Sequence, residues 1–120
     1  MKLIDEKDKQ KLPPLYAGED LGNDAVAVIK FWHPETKWAW YAAEGSAVDA
    51  NGYYDTDAEK VDFLFFGLVI GNEAEIGYFS LAELEQNIPG HWPTLRDAYF
   101  KPRTLRSLME SYERTGEADM

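Results

Sequence analysis

A chain of 120 residues holds one domain, large enough to bury a core without metal or disulfide support. It contains no cysteine, which removes disulfides, thiolate nucleophiles and thiolate metal ligands. The 22 acidic and 12 basic residues leave a formal net charge of −10, which opposes attraction to nucleic-acid backbones and anionic membranes and suits either plain solubility or a partner with a basic surface.

Residues 1–10 are charged rather than apolar, and no apolar run reaches the ~18 residues of a membrane span, so a cytoplasmic protein is expected. Residues 4–12 read as a short, weakly amphipathic helix within an N-terminal segment, 1–14. It begins after Asp5 and must stop by Pro13-Pro14, because proline disfavours helix in the residue before it. Residues 18–24 read as a polar, acidic loop. Residues 25–32 have strand composition, His33-Pro34-Glu35-Thr36 turns the chain, and residues 37–44 return as the second strand of an antiparallel hairpin.

Residues 45–62 are rich in Ala, Gly, Asn, Asp and Tyr and read as an acidic loop or insertion with a small hairpin at Asn51-Gly52. Loops of this length are uncommon in compact domains unless functional or mobile. Residues 63–70 form an unbroken apolar run, the pattern of a strand covered on both faces. Residues 71–74 make the turn to a second extended run, 75–79. A helix follows at once: Ser80 and Glu83 are spaced as a capping box, and Phe79 and Leu84 as a hydrophobic staple. After a break at residues 89–93, residues 96–100 read as a short edge strand ended by Pro102. Thr104 then caps a last helix within residues 103–120, with Leu105, Leu108, Met109 and Tyr112 as its apolar stripe. Arg106–Glu110 and Glu110–Arg114 are its exposed pairs, Gly116 is its stop, and a frayed tail follows. The expected fold is α+β, a compact single domain over residues 1–120 with a mainly antiparallel sheet of about four strands packed by a few short helices.

Two places can carry chemistry. On a regular strand Trp38, Trp40, Ala42 and Glu44 share one face and Ala39, Tyr41 and Ala43 the other. Two indoles and a carboxylate on one surface can stack a planar group or hold a cation, although core packing is the plainer account of the tryptophans, since large aromatics commonly form cores in small domains. Arg96-Asp97 offers an arginine for clamping a carboxylate or phosphate, and a carboxylate to orient it. Its plain alternative is a structural ion pair, and adjacent strand residues point apart. His33 and His91 lack partners at ligand spacing, Asp49-Ala50-Asn51-Gly52 misplaces the glycine of a calcium loop, no glycine-rich turn opens a helix with a lysine, and no serine has a nucleophile-elbow context. No metal, no cofactor and no catalytic residue is expected.

Several ordered blocks resemble one family. They are Leu12-Pro13-Pro14-Leu15-Tyr16, Lys30-Phe31, Trp38-Ala39-Trp40-Tyr41 with Glu44, Phe66-Gly67-Leu68-Val69, Gly77-Tyr78-Phe79-Ser80-Leu81 with Glu83-Leu84-Glu85, and Arg96-Asp97 with Tyr99-Phe100. Together they resemble the uncharacterised bacterial family called domain of unknown function 2958, over residues 12–100. The resemblance implies an association with plasmids, integrative elements and phage-like regions, and no catalytic residues. Leu95 stands where the family usually shows a glutamate before the Arg-Asp pair, so no Glu-Arg-Asp unit carries over.

The expected function is therefore protein binding by a small acidic accessory factor of a mobile genetic element, with inhibition of a host defence or DNA-binding complex as its finer form. Trp38, Trp40, Tyr41, Glu44 and the acidic loop form its contact surface. The first alternative is a small-ligand domain or enzyme in which Glu44, Tyr78, Arg96 and Asp97 converge on a pocket. The second is a structural oligomer subunit with the aromatic strand as its interface.

Overall fold

The computed structural model describes residues 3–86 and 88–118. The expected tail beyond Gly116 lies partly outside them, at residues 119 and 120; within them, Ala118 packs against the last helix's apolar cluster.

Helix α1, Glu6–Lys11, starts where Asp5 accepts from the Asp8 amide while Asp8 accepts from the Asp5 amide, a reciprocal capping box. Residues 18–24, expected as loop, wind instead into 3₁₀ turns over Glu19–Asp24, kinked at Gly22. The expected strand over 25–32 is split. Strand β1, Val26–Ala27, and strand β2, Ile29–Trp32, belong to different sheets, because the chain changes partners at Val28. Strand β3, Ala39–Val48, runs four residues further than expected, which shortens the acidic loop to residues 49–61. Strand β4, Asp62–Ile70, and strand β5, Ala74–Ser80, form the expected hairpin.

Helix α2, Leu81–Glu85, is capped by Ser80, which accepts from the Glu83 amide. Glu83 reaches back to the Ser80 hydroxyl rather than to its amide, so only half of the capping box forms. Strand β6 is Leu95–Arg96, shorter than the expected edge strand, because Asp97 turns the chain by accepting from the Tyr99 amide. Strand β7, Arg103–Thr104, leads into helix α3, Leu105–Thr115, capped by Thr104 and ended by Gly116 in the left-handed conformation. Arg106 pairs with Asp24 at 3.0 Å, and Glu110, its expected partner, acts on it only through its charge.

The main sheet has five strands in the order β5-β4-β3-β2-β6, every adjacent pair antiparallel, and β1 pairs separately with β7. The fold is α+β, with five strands and a further pair where about four were expected. Side chains alternate across this sheet and both faces are covered. On the front, Phe31, Ala42, Phe65 and Phe79 pack beneath Leu3, Ile4 and Leu12 and against Leu84 of α2. On the back, Tyr41, Leu68 and Ile70 pack beneath Leu105 and Leu108 of α3. Strand β4 feeds both cores, which is why its sequence shows no polar alternation. Among the described residues no helix is long and apolar enough to cross a membrane.

Candidate functional site

The expected Trp38-Trp40-Glu44 surface is divided by a β-bulge. Ala42 pairs with Gly67 and Glu44 with Phe66, so Ala43 has no opposite residue on β4. The extra residue shifts the alternation by one, and Glu44 moves to the back face with Phe66 and Tyr78. Tyr41, expected at the contact surface, is fully buried, packing on Phe100 with ring centroids 5.6 Å apart.

The carboxylate that does stand beside the tryptophans comes from β5. Trp40 pairs with Val69 and Val69 with Glu75, a cross-strand row on the front face. Trp38, 37% exposed, tilts against Trp40 at 6.1 Å between centroids and lies flat over the turn at Gly71. A Cβ at Gly71 would stand 2.7 Å from three atoms of that indole, so only glycine lets the ring lie there. Trp38, Val69, Glu73 and Glu75 thus border an open depression of about 460 Å³. Both glutamates are exposed. An indole wall flanked by two carboxylates is complementary to a guanidinium or ammonium group, by ring-face attraction and by ion pairing together. Glu73 and Glu75 escaped the sequence reading because they sit in a hairpin turn and on an edge strand, and only the pairing register brings them to Trp38.

Glu44 serves the fold. It is 5% exposed and accepts from the amides of Tyr16 and Gly18, each at 2.8 Å. Gly45 N–H donates to Pro13 and Leu15 N–H to Ser46 Oγ, so β3 pins the whole 13–18 segment. Tyr16 is held at φ 71°, which a tyrosine rarely adopts. Its ring lies 5.7 Å from that of Tyr54 and 6.3 Å from that of Tyr78. Burial, the Tyr16 hydrogen bond and the charges of Tyr16, Glu44 and Glu19 push the Tyr78 hydroxyl up to about 12.

Arg96 and Asp97 lie at the other edge of the sheet. Arg96 crosses the front face to bond Asp8 of α1. Burial pushes the Asp8 carboxyl up, but the hydrogen bonds from Arg96 and Asp5 and the Arg96 charge together hold it below its ordinary range. Asp97 lies on the back, its carboxylate 3.9 Å from the ammonium of Lys30. Tyr78 on β5 and Arg96 on β6 are separated by four strand spacings, about 19 Å at ~4.8 Å each. The set Glu44, Tyr78, Arg96 and Asp97 therefore does not surround one ligand.

The acidic loop is ordered around Asp49, whose carboxylate accepts from Thr56 Oγ1 at 2.6 Å and from the amides of Tyr53 and Asn51 at 3.0 and 2.9 Å. These bonds hold its carboxyl below the usual range. Asn51-Gly52 is a turn inside the loop, without strands of its own. His33 is an integral part of the β2–β3 turn: Nδ1 accepts from the amides of Glu35 and Thr36, and Nε2 bonds the Trp92 carbonyl at 2.9 Å. Among the described residues no three His, Asp or Glu side chains are grouped to hold a metal ion.

No family model, no curated protein and no solved structure matches this chain.

Proposed function

We propose that the protein is a cytoplasmic, protein-binding accessory factor that receives an arginine or lysine side chain of a basic partner surface in the depression between Trp38, Glu73 and Glu75. The observation that carries this reading is an exposed indole flanked by two carboxylates on a chain whose net charge is −10. The close contact supplies specificity and the overall field speeds encounter with a positively charged partner. The acidic loop, with Tyr53, Tyr54, Asp55, Asp57 and Glu59 exposed, joins the opposite end of the β3–β4 pair and is a second, separate negative surface available for contact. The finer reading, a mobile-element factor that occupies a host defence or DNA-binding complex, rests on the resemblance to domain of unknown function 2958 and on this charge.

The test uses a fluorescent arginine-rich peptide and its citrulline counterpart, with anisotropy read at low and high salt. The arginine peptide is expected to bind, more weakly at high salt, and Trp38→Ala and Glu75→Gln are each expected to weaken it by about threefold to tenfold. Equal binding of the citrulline peptide, or an unchanged affinity in both variants, would sink the proposal.

A further inference from the structure

A second concavity lies on the back of the sheet, under the last turn of α3. It is a cavity of about 280 Å³ floored by Trp32 and Ile70, with Tyr112 in its wall. Charged residues of both signs line it: Lys30 and Lys37 on the sheet side, and Glu117 just beyond the Gly116 cap. Lys30 is 2% exposed, with Asp97 3.9 Å from its ammonium and the Tyr41 ring 5.5 Å away, so its charge is answered within the fold. Lys37 and Glu117 are exposed and offer theirs to a ligand. The Lys37 backbone is fixed by the tight turn, its amide donating to the His33 carbonyl at 2.9 Å. The C-terminal carbonyls of α3 add partial negative charge on the side of Glu117.

We infer that this cavity binds a free α-amino acid with an apolar side chain. Its volume of about 280 Å³ lies at the lower edge of small-molecule sites, which begin at roughly 300 Å³, so the ligand must be small. The floor is apolar and takes a hydrocarbon or aromatic body. Lys37 pairs with the α-carboxylate, and Glu117 with the helix end pairs with the α-ammonium. Overall charge selects in the same direction: a chain at −10 repels a simple anion at long range, while a zwitterion carries no net charge. A simple cation leaves Lys37 unanswered. The inference is independent of the basic-partner reading, since the residues tested differ.

Calorimetric titration of the intact chain with tryptophan, indole-3-propionate and tryptamine tests it, with NMR shifts of the Trp32 and Tyr112 side chains reporting the place. Tryptophan is expected to bind and to move those signals, and each analogue, lacking one charge, to bind roughly fivefold more weakly. Lys37→Gln is expected to weaken tryptophan and indole-3-propionate but not tryptamine. Glu117→Gln is expected to weaken tryptophan and tryptamine but not indole-3-propionate. Both substitutions are on exposed side chains and leave the core untouched. Either analogue binding as tightly as tryptophan, no saturable binding by tryptophan, leucine or phenylalanine, or shifts confined to other residues would overturn the inference.

Discussion

At the scale of single residues, Glu44 shows how a candidate binding group becomes a structural one. Its two oxygens each accept one amide, from Tyr16 and from Gly18, and little of it reaches solvent. Hydrogen bonds to a charged group contribute about 1.5–3 kcal/mol each, and a buried donor left without a partner costs a similar amount. Glu44→Gln keeps one acceptor and turns an NH₂ group toward the other amide. The expected outcome is a loss of about 2 kcal/mol in urea unfolding, with faster hydrogen exchange at the Tyr16 and Gly18 amides. Unchanged stability together with unchanged exchange would contradict the role assigned here. Arg96 makes the same point on the front face, where it is engaged by Asp8 of α1.

At the scale of elements, the bulge in β3 decides which side chains share a surface, and Gly67 on β4 is what permits it. A Cβ at Gly67 would overlap the Tyr41 carbonyl oxygen, whereas one at its cross-strand neighbour Gly77 would meet nothing within 4 Å. Gly67→Ala is therefore expected to destabilise by about 3 kcal/mol, as severe overpacking does, and Gly77→Ala to change stability by no more than ~0.5 kcal/mol. Thermal melts of the two variants check this, and similar losses in both would mean that the bulge does not press on Gly67.

The same bulge marks how far the site was legible in the sequence. Local signals were readable wherever a short segment carries its own instruction: the Asp5, Ser80 and Thr104 caps, the turn at residues 33–36, the apolar run of β4 and the stripe of α3 all formed. Period-two alternation placed Trp38 and Trp40 together correctly, then failed past Ala43, because no residue type announces an inserted position in a strand. Pairings distant in sequence were equally unreadable. Nothing near Trp38 points to Glu73 and Glu75, nothing near Arg96 points to Asp8, and nothing in residues 25–32 shows that β1 will leave its neighbour for β7.

At the scale of the whole molecule, a net charge of −10 and a few well-bonded carboxylates act on stability in opposite directions as pH falls. Protonation of exposed carboxylates relieves self-repulsion, so the urea midpoint is expected to hold or rise between pH 7 and about pH 5, and added salt to raise it at pH 7 by screening. Below that range the sign reverses. Asp8, Asp49 and Glu35 all have carboxyls lowered in the folded protein, from ordinary values of 3.8, 3.8 and 4.5. The unfolded chain therefore binds their protons first. Their stabilisation is complete above those ordinary values and is lost as pH drops through the lower, folded ones. Asp8 is the informative member, because Arg96 and the α1 capping box both depend on its charged form. Asp8→Asn is expected to be less stable than the natural protein at pH 7 and to converge with it only as pH falls below the ordinary 3.8 and through the lowered value of the folded protein, where the natural Asp8 takes up its proton. A constant gap between the two midpoints across the whole acid range would show that Asp8 stabilises α1 through its shape rather than its charge.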